Sequence, residues 1–450
     1  MTELPLNGVR VVDLGTAAIG PTTTRFLAMM GAEVIKIESL ERLDTVRFGS
    51  HADDIVEGRF WETGGRHIWS DGAKLSITLD FEKPRGREVL KRLVKISDVV
   101  AENYSARVLK NLGLDYESLK EINPGIIMVS MRAYGSSGPR MNDIGYGWSL
   151  WAETGLAYLT GYADGPPKAT ISPYHDYSGG LWSALATVVA LDHRRRSGEG
   201  QWVDVSMYEC GVQQNGVAML DYIMNQRVQQ RMGNRHSSIA PQGVYPCQGD
   251  NKWVAISVTS DEEWRALCRA MGDPPWARDE RFADVLGRIR HHDELDQRIA
   301  EWTTTRGHYE AMHLLQEAGV PAGALLNCKE ILLDPHFNAR GKFYKVPQAQ
   351  AEGMEHLGTR IVPGPQFIMS QSPPKMERTH VLGEDNDYVF RELLGMSAEE
   401  VEQLVAEGVT GTEPAIARTP LAAGKFNPPV RLMLGQLHEY DEDYKEILGL

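Results

Sequence analysis

Asp176 is the residue whose type and position most directly suggest chemistry, because it is a carboxylate placed just before a long helical segment. The predicted helix, from Ser178 to Arg195, would present unpaired backbone N–H groups to negative charge at its first turn. Such an aspartate either caps the helix or acts on a bound molecule. Taken alone, Asp176 favours the cap. The adjacent His175 is assigned no role, since neighbours on an extended segment usually point apart.

Several familiar site signatures are absent from the sequence. It contains no GxGxxG, P-loop, HExxH or GxSxG motif, and the glycine turn from Gly15 to Gly20 has the wrong spacing for a dinucleotide site. The four cysteines form no CxxC pair, which predicts free thiols and argues against zinc. No metal site is therefore assigned. The cysteines are Cys210, Cys247, Cys268 and Cys328.

The composition and net charge of the chain limit the kinds of protein that it can be. The chain has 450 residues, of which 42% are hydrophobic and 24% charged, the balance of a globular protein with two domains. A net charge of -14 disfavours general binding to nucleic acid or anionic membranes. The first residues lack the basic and apolar regions of a signal peptide, and no stretch has the apolar length of a membrane span. These features predict a cytoplasmic protein.

The elements that must position Asp176 alternate between strand and helix. Apolar runs at Val9–Leu14, Val34–Ile37, Leu75–Leu79 and 98–101 indicate buried strands, and helical patterns fall between them. Further strands are predicted at 126–131 and 201–207. This alternation favours a mostly parallel sheet covered on both faces. The helix after Asp176 carries an apolar stripe formed by Leu181, Trp182, Leu185, Val188 and Val189.

The composition of the sequence changes near residue 225, where a polar segment begins. We predict a large α/β domain from residues 1–224, a smaller inserted α+β domain from 225–340, a return to the large domain over 341–410, and an extension over 411–450. The last stretch, LHEYDEDYKEILGL, is acidic, and the sequence leaves open whether it docks or stays loosely held.

Five sequence blocks, taken in order, resemble the class III CoA-transferase family, the formyl-CoA and carnitine CoA-transferase type. The first block, LNGVRVVDLGTAAIGP through GAEVIKIES, is similar to the family opening, and AKLSITLD with AENYSARVLKNLGL is similar to the next two motifs. The segment DYSGGLWSALATVVALDHRRRSGEGQ resembles the stretch that holds the family nucleophile. AGVPAGALLNCKEILLDP and LGEDNDYVFRELLG resemble the C-terminal blocks. The resemblance runs from Leu6 to about Thr410.

The resemblance implies an architecture. It implies a Rossmann-like parallel-sheet domain formed by both chain ends, a small domain between them, and two subunits threaded through each other as an interlocked dimer. A homodimer is expected, with a heterodimer of paralogous chains as the alternative.

The resemblance also implies a reaction. Asp176 falls at the family's catalytic aspartate, which attacks an acyl-CoA thioester to form a mixed anhydride and then an aspartyl-CoA thioester. The substrates would be an acyl-CoA, with succinyl-CoA as one donor, and a small carboxylic acid. CoA thioesters would be substrates, and no permanently bound cofactor is expected.

Further site residues carry over by position. The resemblance implies CoA contacts along the first half of the chain, with basic side chains as phosphate partners. It also implies a loop of the small domain over the active site, including His236 and Gln242, that shields the anhydride from water. The predicted CoA contacts are Ala18, Ile19, Arg42, Ala73, Lys74, Asn103, Tyr104, Arg107, Lys110 and Tyr146.

The sequence departs from the family pattern where arginines are common. Ser39 follows the IKIE segment, and Asn111 stands before the LG of its block, so Arg42, Arg107 and Lys110 are expected to rebuild the phosphate contacts. Tyr146 occupies the position of the histidine that related racemases pair with the aspartate. Because tyrosine is a poor second base at Cα, this favours a transferase over the alternative acyl-CoA racemase or epimerase. A subunit of a hetero-oligomeric CoA-transferase is the other alternative.

Overall fold

The computed structural model describes residues 4–168, 170, 172, 174–348, 354–415, 428–435 and 437–450. The chain forms two compact units. The larger unit comes from the described parts of 1–154, 170–216 and 335–450, and the smaller unit from 155–169 and 217–334. No sequence signal indicated that 155–169 belongs with the smaller unit.

The elements follow the predicted alternation of strand and helix in the first half of the chain. The strands are β1 (Arg10–Asp13), β2 (Glu33–Glu38), β3 (Leu75–Thr78), β4 (Val99–Glu102), β5 (Ile127–Arg132), β6 (Trp202–Ser206), β7 (Gln242–Pro246), β8 (Trp253–Ser257), β9 (Ala322–Ala324), β10 (Phe343–Pro347) and β11 (Thr359–Pro363). The helices are α1 (Ile19–Met29), α2 (Gly65–Ser70), α3 (Pro84–Lys95), α4 (Ala106–Asn111), α5 (Tyr116–Ile122), α6 (Gly147–Glu153), α7 (Leu156–Leu159), α8 (Tyr174–Ser197), α9 (Met207–Val212), α10 (Gly216–Asn225), α11 (Asp261–Ala270), α12 (Val285–Arg290), α13 (His292–Thr303), α14 (His308–Glu317), α15 (Cys328–Leu333), α16 (Pro335–Ala339), α17 (Ala398–Ala406), α18 (Pro428–Met433) and α19 (Tyr444–Leu448).

A six-stranded parallel sheet forms the centre of the larger unit. Its order is β3-β2-β1-β4-β5-β6, the order of the Rossmann fold. Its inner strands are almost entirely buried, as expected when helices cover both faces. The order reverses between β1 and β4, and in open parallel sheets ligands bind beyond the carboxyl ends of the strands at such a point. The predicted α/β class and parallel sheet are confirmed.

The C-terminal part of the larger unit returns to this core, and its described residues add no strand to the parallel sheet. Instead β10 and β11 form a separate antiparallel pair. Val389, Phe390 and Leu404 pack into the same hydrophobic cluster as Ile77 and Val100. The parallel sheet itself is therefore built from residues 10–206, and the return contributes packing.

The smaller unit contains a three-stranded antiparallel sheet in the order β7-β8-β9. Helices α11, α13 and α14 contribute Leu267, Ile299 and Leu315 to its core. It is thus an α+β unit with its own hydrophobic interior.

Helix α8 begins earlier than predicted. It begins at Tyr174, so Asp176 lies inside its first turn instead of before it. Its small residues, including Gly179 and Gly180, are buried, and a Cβ on Gly180 would come within 2.8 Å of the Thr22 side chain of α1. Close packing on α1 therefore uses the small-residue face. The apolar stripe of Leu181, Trp182, Leu185, Val188 and Val189 is exposed on the single chain. No helix of the described chain combines the length and apolar character needed to cross a membrane.

Eight buried ionisable residues form a closed chain of contacts that we call the ionic ring. They are Asp13, Lys36, Glu38, Asp44, Arg47, His67, Asp71 and Lys74.

One half of the ionic ring joins β2 to the segment that follows it. Lys36 Nζ lies 2.7 Å from Asp44 Oδ2, the Asp44 backbone N–H donates to Glu38, and Arg47 pairs with Glu38 at 2.7 Å. Burial opposes ionisation of Glu38, but Arg47 and Lys36 outweigh it and lower the pKa of Glu38 to about 2. Glu38 is therefore held ionised by its partners.

The other half of the ionic ring passes through α2. Arg47 contacts His67 Nε2 at 3.2 Å, and His67 Nδ1 lies 2.9 Å from Asp71. Lys74 then bridges Asp71 at 2.9 Å and Asp13 at 3.2 Å. The ring closes through Gly15, whose N–H donates to Asp13 and whose carbonyl accepts from Lys36.

The end of the predicted C-terminal extension docks on the larger unit. The Tyr444 hydroxyl and the Lys445 ammonium both donate to Asp53, and Arg360 contacts Tyr444 and Asp53 at 2.8 Å and 3.1 Å. Asp53 has a left-handed φ of 55°, so the loop that presents it is held in an uncommon conformation. Residues 416–427 and 436 of the extension lie outside the described residues.

We predict that Arg47→Met lowers the free energy of unfolding by about 3–5 kcal/mol, because it removes the buried cation that pairs with the carboxylates of Glu38 and Glu62. Urea unfolding followed by tryptophan fluorescence measures this change. The control is Arg195→Met, whose side chain is 76% exposed beside Asp192 and should change stability by less than about 1 kcal/mol. Equal effects of the two substitutions would contradict a stabilising ionic ring.

Candidate active site

A cavity of about 730 Å³ opens at the carboxyl ends of the parallel strands, beside the point where the strand order reverses. Segments that follow β1, β2, β4 and β5 all contribute to its wall. Asp176 lies in this wall. The lining residues are Thr16, Ala17, Ile19, Ile37, Glu38, Ser39, Glu41, Arg42, Leu43, Asp44, Thr45, Asp80, Phe81, Glu82, Asn103, Tyr104, Ser105, Met131, Ala133, Gly145, Tyr146, Asp176 and Met207.

The turn between β1 and α1 is clamped in place from two sides. The Asn103 side-chain amide accepts from the Thr16 N–H at 2.7 Å and donates to the Thr16 carbonyl at 2.9 Å. Asp44 accepts from the Ala17 N–H at 2.8 Å. These contacts hold Ala17 at a left-handed φ of 66°, a conformation that costs energy for a residue with a Cβ.

Two glycines allow this turn to fold back on itself. A Cβ on Gly15 would lie 2.6 Å from the Gly20 Cα, and a Cβ on Gly20 would lie 2.5 Å from the Gly15 Cα. The glycine turn singled out in the sequence therefore serves a close backbone approach that brings Ile19 to the cavity wall.

Asp176 is half-buried in the first turn of α8. Burial is the main influence on its carboxyl group and raises the pKa of Asp176 to about 6, while the positive charge of Arg66 and the Asp176 backbone N–H oppose the shift. The helix dipole also favours the ionised form at this position. The carboxylate is thus available near neutral pH but poorly solvated, which suits a nucleophile.

His175 lies beside Asp176 in sequence but is fully buried. Its Nε2 is 3.1 Å from Thr154 Oγ1, whose hydroxyl donates to the Leu150 carbonyl, so His175 Nε2 carries the proton of a neutral ring. Burial lowers the pKa of His175. A Cβ on Gly211 would lie 2.2 Å from this ring, so a glycine is required where α9 meets it. His175 therefore packs the first turn of α8 against its neighbours.

The structure brings five of the predicted CoA contacts to the same cavity as Asp176. They are Ile19, Arg42, Asn103, Tyr104 and Tyr146. Burial raises the pKa of Tyr104 to about 12, so its hydroxyl stays neutral. The side chain of Arg42 is exposed.

The other five predicted CoA contacts do not line the cavity. Lys74 is fully buried in the ionic ring, where Asp13 and Asp71 compensate its charge, so it is not available to a phosphate. Ala73 lies in a separate groove at the amino ends of the strands, the opposite edge of the sheet. Arg107 and Lys110 are exposed on α4, and Ala18 is the residue immediately before α1.

His236 and Gln242 belong to the smaller unit. His236 is exposed, and its Nδ1 contacts Ser238 at 3.1 Å. Gln242 begins β7, accepts from the Ser257 hydroxyl at 3.2 Å and donates to the Asn234 carbonyl at 3.4 Å. Their predicted role as a loop over the site stays a prediction.

Two residues near Asp176 were missed by sequence reasoning. Asp44 could have been found as the N-cap of a short helical turn at Thr45–Arg47, since its side chain accepts from the Val46 N–H. Arg66 carries no comparable signal, because its effect on Asp176 depends on how α2 packs against α8. Acidic wall residues at 41, 80 and 82 were also not anticipated.

Comparison with known proteins identifies the family of the chain. The family model described as CoA-transferase family III matches residues 6–385. The chain is 35% identical over 411 residues to a succinyl-CoA–D-citramalate CoA-transferase of Chloroflexus aurantiacus, covering 90% of this chain and 98% of that protein. It is 32% identical over 410 residues to a succinyl-CoA–L-malate CoA-transferase alpha subunit of Chloroflexus aurantiacus, covering 89% of this chain and 92% of that protein.

A solved structure shares the fold. The crystal structure of a CAIB/BAIF family protein from Brucella suis superimposes with a TM-score of 0.78 and 30% sequence identity, over 87% of this chain and 100% of that chain. The sequence blocks, the cavity and these matches lead to one conclusion: the chain belongs to CoA-transferase family III and is an enzyme with CoA-transferase activity.

Proposed function

We propose that this enzyme moves CoA from an acyl-CoA, with succinyl-CoA as the first donor to test, to a small carboxylic acid, and that Asp176 is the covalent nucleophile. The observation that carries the proposal is the position of Asp176. It is a half-buried carboxylate with a raised pKa in the wall of a cavity at the strand ends. Five CoA-contact candidates share that wall: Ile19, Arg42, Asn103, Tyr104 and Tyr146.

The first half-reaction loads CoA onto the enzyme. An Asp176 carboxylate oxygen attacks the thioester carbonyl, the C–S bond breaks, and CoA leaves as a thiolate from a mixed anhydride. The thiolate then attacks the aspartyl carbonyl of that anhydride and expels the donor acid as a carboxylate. Asp176 is left as an aspartyl-CoA thioester, and no proton is gained or lost.

The second half-reaction reverses these steps with another acid. The acceptor carboxylate attacks the aspartyl thioester and releases the thiolate, which then captures the acceptor carbonyl and restores the free Asp176 carboxylate. One thioester is exchanged for another of similar free energy, so the reaction requires neither ATP nor a metal. Desolvation of Asp176 favours attack because the carboxylate has little water to shed.

Some cavity residues are proposed to recognise CoA through charge and others through shape. The exposed guanidinium of Arg42 supplies positive charge for a CoA phosphate. Tyr104 packs edge-on against Phe81, with ring centroids 6.0 Å apart, and offers an apolar wall. Asn103 acts mainly through the turn that it clamps.

The working enzyme is proposed to be a homodimer that covers the apolar face of α8. Leu181, Trp182, Leu185, Val188 and Val189 are between 43% and 59% exposed on one helix. An apolar face of this size on the surface marks an interaction site, and a second copy of the chain is the partner that the family architecture provides.

We predict that Asp176→Asn and Asp176→Ala reduce CoA exchange by more than about 1,000-fold, because no anhydride can form without the carboxylate. Chromatography of acyl-CoA products from succinyl-CoA and a panel of carboxylic acids measures the loss. Asp176→Asn should be at least as stable at pH 8, since it removes a carboxylate that burial disfavours. Asp192→Asn, on the same helix, is the control.

Trapping the intermediate tests the nucleophile directly. Enzyme incubated with succinyl-CoA and then hydroxylamine should carry one hydroxamate, located by peptide mass spectrometry at Asp176. A hydroxamate on another carboxyl group would assign the chemistry to that residue.

We predict that exchange falls as the pH drops through about 6, because protonation of Asp176 removes the nucleophile. Above that pH the carboxylate is ionised and kcat/KM for succinyl-CoA should level off. Below it, kcat/KM should fall about tenfold per pH unit. Initial rates from pH 5 to 8 measure the profile, and a midpoint near 4 would show that burial does not control the nucleophile.

We predict that the isolated chain runs in light scattering at twice its 50.2 kDa mass. Leu185→Glu with Val189→Glu should abolish that species, because two carboxylates cannot be buried in an apolar contact. The matched control is Arg195→Glu near the solvated end of the same helix. A folded 50.2 kDa monomer of the unsubstituted chain would reject the homodimer.

A further inference from the structure

Arg66 is an exposed cation with no ion-pair partner in the described part of the larger unit. It lies on α2, and the structure records no ion pair or hydrogen bond for its guanidinium within the described part of the chain. Its neighbour His67 belongs to the ionic ring and is buried. Helix α2 is thus fixed from its buried side, and Arg66 extends from the other.

The packing of α2 brings this exposed side towards the nucleophile. The Trp69 ring, one turn after Arg66, meets the Tyr177 ring edge-on at 5.5 Å, and Tyr177 follows Asp176 directly. The guanidinium of Arg25 lies 4.5 Å from the centre of the Trp69 ring and holds it in place. Arg66 is close enough to Asp176 for its charge to oppose the rise in the pKa of that carboxyl group.

The cavity wall carries more negative than positive charge, so an acidic substrate needs a nearby cation. Six carboxylates line the cavity, and Arg42 is the cation among the lining residues. Glu38 and Asp44 are compensated by Arg47 and Lys36. An acid that must approach Asp176 adds further negative charge, so its binding needs a partner of opposite sign near the reacting atoms.

We propose that Arg66 binds the carboxylate that does not react, and so makes dicarboxylic acids and their CoA thioesters the preferred substrates. This inference rests on the proposed transfer through Asp176. A guanidinium matches a carboxylate with two parallel N–H···O bonds, and it keeps its charge throughout the pH range of activity. Donor and acceptor occupy the same place in turn, so one arginine serves both half-reactions. A monocarboxylic acid leaves Arg66 without a ligand.

The test compares acceptors that differ only in the second carboxylate. With butyryl-CoA as donor, kcat/KM is measured for glutarate and for valerate in the unsubstituted enzyme, Arg66→Gln, Arg66→Lys and Arg195→Gln. Arg66→Gln should lower the glutarate-to-valerate ratio about 10- to 100-fold, the usual effect of losing a charge-assisted pair. Arg66→Lys should recover part of the ratio, and Arg195→Gln, which removes the same charge at the far end of α8, should leave it unchanged.

The ratio separates recognition from effects on the nucleophile. Loss of Arg66 also raises the pKa of Asp176, but this changes the rates of both acceptors equally and cancels in the ratio. An unchanged ratio in Arg66→Gln would overturn the proposal while leaving the transfer reaction intact. Absence of exchange with every acid in the unsubstituted enzyme would instead reject the proposed function.

A binding measurement tests the role of Arg66 even if the Arg66 variants have no measurable turnover. Calorimetric titration of glutarate into Asp176→Asn should give a Kd about 10-fold or more below that of Asp176→Asn/Arg66→Gln, because the charged pair forms without chemistry. Circular dichroism checks that each variant is folded. Equal Kd values in the two folded variants would overturn the role of Arg66.

Discussion

A buried charge is stable only when an opposite charge compensates it, and in the ionic ring the compensating residues belong to separate segments of the chain. Lys36 and Glu38 lie on β2, Asp44 and Arg47 on the segment after it, and His67 to Lys74 on and just after α2. None of these segments can shift alone without leaving a buried charge uncompensated. The ring therefore fixes the relative positions of the strand ends and of α2 before any ligand arrives.

The geometry of the active site follows from that constraint. Asp44 uses one oxygen for Lys36 and the other for the Ala17 N–H, so the same carboxylate serves the ring and the strained turn of the cavity. On α2, His67 contacts the ring while Trp69 contacts Tyr177. The electrostatics of Asp176 thus depend on two elements that the ring holds, and burial and Arg66 act on its pKa in opposite directions.

The sequence predicted the strand ends well and the side-chain partners poorly. Ile19, Asn103 and Tyr104 follow buried strands, and residues at such positions meet at one edge of a parallel sheet. The burial of Lys74 was not anticipated, because its partner Asp13 lies 61 positions away, which no local pattern reveals.

The exposure of the apolar stripe on α8 was not anticipated for a different reason. An apolar stripe normally marks the buried face of a helix. Here α8 buries its glycines against α1 and leaves the stripe exposed, an arrangement that depends on close helix packing. The hydrophobic pattern of the sequence therefore predicted the coarse fold, but it did not predict contacts that depend on tertiary packing.

The docked end of the chain changes how the larger unit should be delimited. The family match stops at residue 385, yet α19 lies on the Asp53 loop, and Lys345 donates to the Gly449 carbonyl at 2.6 Å. Asp53 and Arg360, both inside the matched region, take part of their hydrogen bonding from Tyr444. The loop that presents Asp53 thus takes part of its support from a segment outside the matched residues. Truncation of the chain before α19 would therefore remove two hydrogen-bond donors from Asp53.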